Sequence, residues 1–295
     1  MSLEITRAIR KLGAPMLREV VDEGIRLFER AASGAREQDV HLGILFPFLH
    51  LLESIDGVEV ALAAASTTSA ELILRTTFEA LLAVEWVTQD RNFRYAAARV
   101  VADIHKRIAL TSRYQSGSDR RRQFEAEFSK DALGRHIHLP LEPDAAEKIA
   151  GLQSLLNQDH LRDAPVEFDR SRTVQKRTPE FYSLWGGPRN IEGHARKLDR
   201  GAQYELLYRQ WSAVAHGDVS QRQLGTVEGA PAVRPFRSGG ELSTCYVFAA
   251  TYGLDAIRAI LKIYRPEELN GSYPRWYSEK VRTPFGQLSQ VKTGA

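Results

Sequence analysis

The sequence contains a single cysteine, Cys245, among 295 residues. One cysteine excludes an intrachain disulfide and a cysteine-based zinc cluster, and the apolar residues after it predict a buried, unreactive thiol. Long apolar runs are also missing, because no stretch approaches the roughly 20 residues that span a bilayer. The segment Met1 to Lys11 has no continuous apolar stretch of the signal-peptide kind. We therefore expect a cytoplasmic protein that does not associate with a membrane.

The motifs of several common enzyme classes are absent as well. Ser238-Gly239-Gly240 is the nearest approach to a phosphate-binding glycine loop, and no Lys-Ser or Lys-Thr pair follows it. A Gly-x-Ser-x-Gly nucleophile elbow is missing, although Gly117 has a serine on each side. The formal charge of +3 permits contact with nucleic acid but is far from that of a strongly basic protein. Nucleoside triphosphatase and serine hydrolase activities are both disfavoured.

A metal site has little support in the sequence. His136 and His138 would lie on one face of an extended segment, where Asp131 or Glu142 could complete a shell of ligands. Nearby proline and the lack of another ligand at a fixed spacing favour a surface loop instead. We expect no metal ion and no cofactor.

Helical periodicity dominates the sequence and predicts an all-α helix bundle. Residues 1–38 form an N-terminal helical arm, which is one helix or a pair broken near Gly13-Ala14-Pro15. We expect residues 39–264 to form a single helical domain with an irregular insertion at about 129–190, most polar between 163 and 189. The glycine-rich stretch 224–240 predicts a loop or one short β-hairpin. Residues 265–295 are a polar C-terminal tail.

Two predicted helices carry more chemistry than packing requires. Spacing of four residues puts Tyr204, Tyr208, Ser212 and His216 on one face of a helix, and Arg209, seven residues before His216, lies almost in line with it. Asp218 closes the same segment. On an earlier helix, which Thr67 to Glu71 begin, Arg75 and Glu79 stand four residues apart beside an apolar stripe. A charged pair in that place needs polar partners, and Tyr208 or Ser212 would supply them.

The two helices together resemble a family of bacterial helical proteins, domain-of-unknown-function family 5677. Its recognisable parts are an Arg-x-x-Phe-Glu helix, matched here by Arg75 to Glu79, and a downstream Tyr-x-x-x-Ser-x-x-x-His helix, matched by Tyr208, Ser212 and His216. Trp185-Gly-Gly and Ala195-Arg-Lys-Leu198 are similar to the lead-in of the second motif. The resemblance covers roughly Leu45 to Gly217 and implies an all-α fold without an activity.

Arg209 and His216 also resemble the Arg-x(4 to 6)-His pattern of HEPN proteins, a helical class that includes metal-independent ribonucleases and nucleotide-binding proteins. In such proteins a dimer brings two of these helices over the scissile phosphate. The resemblance implies a homodimer, RNA or a nucleotide as partner, and a role in stress or phage defence. This sequence departs from the nuclease pattern at Gln210, where Asn, Asp or His is usual. An imidazole suits the transfer of a ribose hydroxyl proton, and a guanidinium suits a charged phosphorane.

Each marked residue also has a structural interpretation. His216 stands before a glycine, where an imidazolium at a helix C-terminus interacts favourably with the helix dipole. The tyrosines would then be core aromatics, and Arg75 with Glu79 would be a structural pair. Two hypotheses follow: an RNA- or nucleotide-directed protein with His216 and Arg209 at its active site, or a non-catalytic helical module whose polar network fixes helix register.

Overall fold

The computed structural model of the chain describes residues 3–34, 39–90, 92–136, 140–216, 224–227, 230–233, 237 and 240–291. These residues are mostly helical, as the sequence predicts. The α-helices are α1 (Leu3–Gly34), α2 (Leu42–Ala63), α3 (Thr67–Val87), α4 (Arg94–Thr111), α5 (Asp119–Phe128), α6 (Ala145–Leu155), α7 (Ala164–Gln175), α8 (Ile191–Lys197), α9 (Gly201–Gln203), α10 (Arg209–Ala215), α11 (Leu242–Tyr264), α12 (Ser272–Trp276) and α13 (Arg282–Gln290). No helix in these ranges is long and apolar enough to cross a membrane.

One short β-hairpin accompanies the helices. Strands β1 (Leu224–Val227) and β2 (Ala230–Val233) pair antiparallel, with Leu224 opposite Val233 and Val227 opposite Ala230. The all-α fold with one hairpin in the 224–240 region is therefore confirmed.

The chain divides into two compact units. The first comprises residues 1–37, 44–91 and 190–295, and the second comprises residues 38–43 and 92–189. In the first unit, α11 packs along α1 and α3. Its core consists of fully buried apolar side chains, among them Leu17, Ile44, Phe48, Phe78, Tyr246 and Ile257.

Glycine in α1 serves close packing rather than a break. The helix is continuous from Leu3 to Gly34 although Pro15 lies inside it. A β-carbon on Gly13 would lie 2.5 Å from the ring of Tyr246, so glycine is required for α1 and α11 to approach this closely. In α2, Pro47 likewise lies inside one helix, close to its N-terminal end. Of the two alternatives for the N-terminal arm, the single helix is correct.

The middle of the chain is more regular than its polar composition predicts. Residues 163–189, expected to be irregular, contain α7 and a 3₁₀ turn at Phe181–Gly186. Glu167 explains this order, because its carboxylate accepts hydrogen bonds from Arg170 Nε at 2.6 Å, Ser171 Oγ at 2.9 Å and the backbone N–H of Trp185 at 2.9 Å. These donors, led by Arg170 and opposed by partial burial, lower the pKa of Glu167 to about 2. One buried carboxylate thus joins α7 to the turn that follows it.

Helices also continue where the sequence suggested only a polar tail. After a 3₁₀ turn at Pro266–Leu269, α12 leads through a π-helical turn at Tyr277–Val281 into α13. Val281 and Leu288 are buried, and α13 packs against α1 and α11. Two fully buried apolar side chains are too few to give a clear apolar period in the sequence.

Candidate functional site

The segment from Tyr204 to His216 is helical but not a uniform α-helix. Tyr204–Tyr208 is a π-helical turn, and the backbone N–H of Arg209 donates to the carbonyl of Tyr204 five residues earlier. Such turns are rare and occur frequently at functional sites. The extra residue breaks the straight alignment of Tyr204 with Ser212 and His216 that an uninterrupted α-helix would give. Arg209 and His216 both follow the π turn, so their helical spacing is retained.

Helix α10 has a buried side and an exposed side. Successive side chains on a helix are about 100° apart around its axis, so their directions can be given as angles from that of Tyr208. Trp211 lies at about −60° and Ser212 at about 40°. His216 lies at about 80° and Arg209 at about 100°. Exposure follows the same order: Tyr208 and Trp211 are buried, Ser212 is half-buried, and His216 and Arg209 are exposed. The polar side chains of this face, which we call the polar ladder (Tyr208, Ser212 and His216), therefore extend from the core to the solvent.

Tyr208 connects this segment to α3. Its hydroxyl donates to Glu79 Oε1 at 2.7 Å and accepts from Arg75 Nη2 at 3.2 Å, while Arg75 and Glu79 lie 3.5 Å apart. Burial, reinforced by the bond to Glu79 and opposed by the bond from Arg75, raises the pKa of Tyr208 to about 12. The same hydroxyl, with the charge of Glu79, raises the pKa of Arg75. Of the two partners that the sequence allowed for the charged pair, the structure places Tyr208 there.

Aromatic rings pack against the ring of Tyr208 from two sides. The ring of Tyr204 stacks on that of Tyr208 with centroids 5.1 Å apart, and Phe78 of α3 lies 5.8 Å away on another side. Trp211 packs edge-on against Phe248 of α11 at 6.2 Å. These contacts fix α10 on the bundle through its buried side and leave its other side open.

Arg209 is held at the surface by one carboxylate. Its Nη1 lies 2.7 Å from Glu205, whose other oxygen is 2.7 Å from Arg196, and 61% of the Arg209 side chain is exposed. The hydrogen bond and charge of Glu205 raise the pKa of Arg209. Exposed pairs of this type are weak, so an incoming phosphate can exchange with the carboxylate.

His216 is the residue that ends α10. Its backbone N–H donates to the carbonyl of Ser212 at 3.1 Å, which makes it the C-terminal cap of the helix. Its side chain is exposed and makes no hydrogen bond or ion pair with any described residue. The cap is therefore made by the backbone, and the imidazole is accessible to a ligand.

Some predicted residues cannot be placed. Asp218 and Gly217, which follow His216, lie outside the described residues, as does His138. In the part of the chain that is described, no group of three His, Cys, Asp or Glu side chains is arranged to hold a metal ion.

Sequence reasoning missed a second cluster of charges in the same unit. Arg200, just before α9, contacts Glu85 at the C-terminal end of α3 and Asp255 in α11. Asp255 is the sole carboxylate in α11, and Arg258 and Lys262 follow it at positions i+3 and i+7. A lone acid with two cations on one side of an apolar helix was the signal available in the sequence.

The arrangement at α10 combines the imidazole of His216 and the guanidinium of Arg209, and both are open to solvent. The two residues are about 10 Å apart along the helix axis, because they are seven residues apart and each residue adds about 1.5 Å. The tied side chains beneath them, Arg75, Glu79 and Tyr208, occupy each other's hydrogen-bonding groups and are suited to holding two helices together. His216 and Arg209 are exposed on the same face, and Arg209 can meet a substrate once its contact with Glu205 is exchanged.

The sequence matches the family of unknown function DUF5677 over residues 41–226, which is more than half of the chain. The protein belongs to this family of unknown function. No curated protein and no solved structure matches the sequence significantly.

Proposed function

We propose that this protein is a HEPN-like, metal-independent ribonuclease or nucleotide-directed protein, in which His216 transfers a proton and Arg209 binds a phosphate. The observation that carries the proposal is the exposure of both side chains on one face of α10, while the hydroxyl of the neighbouring Tyr208 is bonded to Glu79 and Arg75. An imidazole that served only as a helix cap would be expected to bond the last carbonyls, whereas here the backbone of His216 makes that bond.

The chemistry follows from the two groups. A neutral imidazole removes the proton of a ribose 2′-hydroxyl, the oxygen attacks phosphorus, and the bond to the 5′-oxygen breaks with a proton supplied to that oxygen. A guanidinium stabilises the charge that builds on the phosphorane oxygens. One His216 cannot hold both proton-transfer positions at once. The proposal therefore requires a homodimer, in which the second copy provides the acid.

Glu205 is the built-in competitor for the phosphate. Its carboxylate occupies Arg209 in the free protein, so a substrate must displace it. Glu205→Gln removes the competing charge and leaves the side chains of His216 and Arg209 unaltered. Under the proposal this variant binds RNA more tightly than the unaltered protein, a result that a purely structural role for Arg209 does not predict.

The test is cleavage of a single-stranded RNA in the presence of EDTA, with product ends analysed for 2′,3′-cyclic phosphate. His216→Ala is expected to lower the rate by about 100-fold or more, the usual contribution of a general acid or base. Lys280→Ala, an exposed change in the same unit, serves as control. Unchanged cleavage by His216→Ala refutes the proposal. Sedimentation of the protein across the assay concentrations tests the dimer.

A non-catalytic helical module is the second candidate, and the Arg75–Tyr208–Glu79 contacts favour it because they join α3 to the α10 segment. Under this hypothesis His216→Ala changes thermal stability at most and has no biochemical effect. The ratio of absorbance at 260 and 280 nm of the purified protein, with mass spectrometry of any retained species, distinguishes the two. Retained RNA or nucleotide supports the first hypothesis. If RNA cleavage is found, phage plating on cells with and without the gene tests a defence role.

A further inference from the structure

A polar pocket of about 570 Å³ lies in the first unit, away from α10. Its walls are the C-terminal end of α3, the turn after α8 and the second half of α11. Glu85, the α3 residue that faces it, is six residues beyond Glu79 and thus about 9 Å further along the helix axis. Neither Arg209 nor His216 lines the pocket. It is therefore a separate place from the proposed active site.

Arg200 is fixed at the base of this pocket by two carboxylates. Its Nε lies 3.1 Å from Glu85 Oε2, and its Nη2 lies 2.7 Å from Asp255 Oδ2 and also contacts Glu85 Oε1. Burial lowers the pKa of Arg200, but the hydrogen bonds and charges of Glu85 and Asp255 outweigh it and raise the pKa overall. The guanidinium therefore keeps its charge and is held by hydrogen bonds to two carboxylates.

One nitrogen of this guanidinium is unused. Nη1 of Arg200 makes no hydrogen bond to any described residue, and 18% of the side chain remains exposed. The backbone beside it is equally fixed. The N–H of Arg200 donates to Ala195 and that of Asp199 donates to Arg196, which together close α8 in a Schellman motif. Both N–H groups are therefore used within the turn, and they hold the backbone of Arg200 in place beside the pocket.

Further cations line the opening. Lys197 and Lys262 are exposed and form no ion pair with any described residue, whereas Arg258 is bound to Asp255. Two of the three carboxylates at the pocket, Glu85 and Asp255, are neutralised by guanidinium groups, and the third belongs to Asp199. Four cations thus face three anions, and the two lysines are the cations without a counterion.

We propose that this pocket binds a small phosphate-bearing anion, with Nη1 of Arg200 as a fixed hydrogen-bond donor and Lys197 and Lys262 as charges that close over the ligand. The charged nitrogen Nη1 can donate to a phosphate oxygen, and a lysine serves as a mobile point charge. The volume falls within the range of small-molecule sites and accommodates more than one phosphate group. The pocket is a binding site, so no bond changes in the ligand are required.

Binding of inorganic pyrophosphate to the full chain, measured by isothermal titration calorimetry, tests this inference. In the double variant Lys197→Gln/Lys262→Gln the dissociation constant is expected to rise by about tenfold or more. The control is Lys11→Gln/Lys280→Gln, which removes two exposed lysines of the same unit that are likewise unpaired among the described residues and leaves the pocket intact. Its dissociation constant should stay within about twofold of that of the unaltered protein.

Equal weakening in the two double variants would show that pyrophosphate senses only the net charge, and it would overturn the proposal. Absence of measurable binding to the unaltered protein at low ionic strength would overturn it too. Circular dichroism of each variant verifies folding, and neither double variant removes a partner of Glu85 or Asp255. Because His216 and Arg209 are unchanged in all of these proteins, the outcome is independent of whether RNA is cleaved.

Discussion

Removal of one hydroxyl, in Tyr208→Phe, should weaken the link between α3 and the α10 segment. The ring is 6% exposed and its packing against Phe78 is unchanged by the substitution, so the two hydrogen bonds of the hydroxyl are the main loss. A hydrogen bond to a charged group contributes about 1.5–3 kcal/mol to stability when it is well buried. Glu79 and Arg75 have side chains that are 42% and 31% exposed, so water can replace part of that interaction. We expect the free energy of unfolding to fall by about 1 kcal/mol.

Tyr204→Phe is the matched control, because its ring stacks on Tyr208 while its hydroxyl makes no hydrogen bond to a described residue. Urea unfolding, followed by far-UV circular dichroism, should give a lower midpoint for Tyr208→Phe with an unchanged slope, and almost no shift for Tyr204→Phe. A double-mutant cycle with Glu79→Gln should give a coupling of about 0.5 kcal/mol or more. Equal midpoints for the two tyrosine variants would refute the structural role of the 208 hydroxyl.

The same substitution has a pH signature. An unfolded tyrosine ionises near pH 10, while Tyr208 in the folded protein keeps its proton until about pH 12. Between these values the unfolded state binds fewer protons, so the stability that the hydroxyl provides is complete below pH 10 and is lost as the pH rises toward 12. Other buried tyrosines, such as Tyr246 and Tyr252, shift in the same direction. The difference between the unaltered protein and Tyr208→Phe isolates the contribution of Tyr208.

Three further changes test other parts of the fold by thermal or urea unfolding. Ala65, just after α2, has a φ of 56°, a conformation that strains alanine because of its β-carbon and does not strain glycine. Ala65→Gly should therefore raise the free energy of unfolding by up to about 1 kcal/mol. A decrease would contradict this reasoning. Glu85→Gln removes one of the two carboxylates that contact Arg200 and should lower the free energy of unfolding by about 2 kcal/mol. The loss is smaller than for a fully buried pair because both side chains are 18% exposed. An unchanged midpoint would show that the pair does not contribute to stability. Burial lowers the pKa of His194 to about 3, so the unfolded state binds more protons below pH 6.5 and stability falls from there toward pH 3. His194→Phe should flatten that dependence between pH 6.5 and 5, and an unaltered slope would exclude His194 as its cause.

Features with local causes were predictable from the sequence. Helix α3 begins at Thr67, within the predicted start at 67–71, because the apolar period that defines it is contained in the segment itself. The hairpin was one of two alternatives for its segment, because glycine and proline there predict a loop or a hairpin. Arg75, Glu79 and Tyr208 could be singled out because charges beside an apolar stripe require partners.

Features that depend on distant contacts were not predictable. The π turn at Tyr204–Tyr208 has no local composition signal, and it alters which side chains share a face. Helix α7 depends on Glu167, whose partner Trp185 is 18 residues away. Arg200 meets Glu85 across 115 residues of sequence and Asp255 across 55. These pairings cannot be inferred from a single sequence, because nothing near each residue in the chain indicates which distant residue will contact it.

The division of α10 into a buried and an exposed side separates two effects that the sequence left together. Tyr208 lies on the side that holds the helix, so its loss should lower stability, and any loss of activity should follow from displacement of α10. His216 lies about 80° around the helix and contacts no described partner through its ring, so its loss should leave stability nearly unchanged. If His216→Ala and Tyr208→Phe lower stability alike, the ladder is one structural network. If they differ, the two side chains do not belong to one structural network, and the result supports the proposed role of the imidazole toward a ligand.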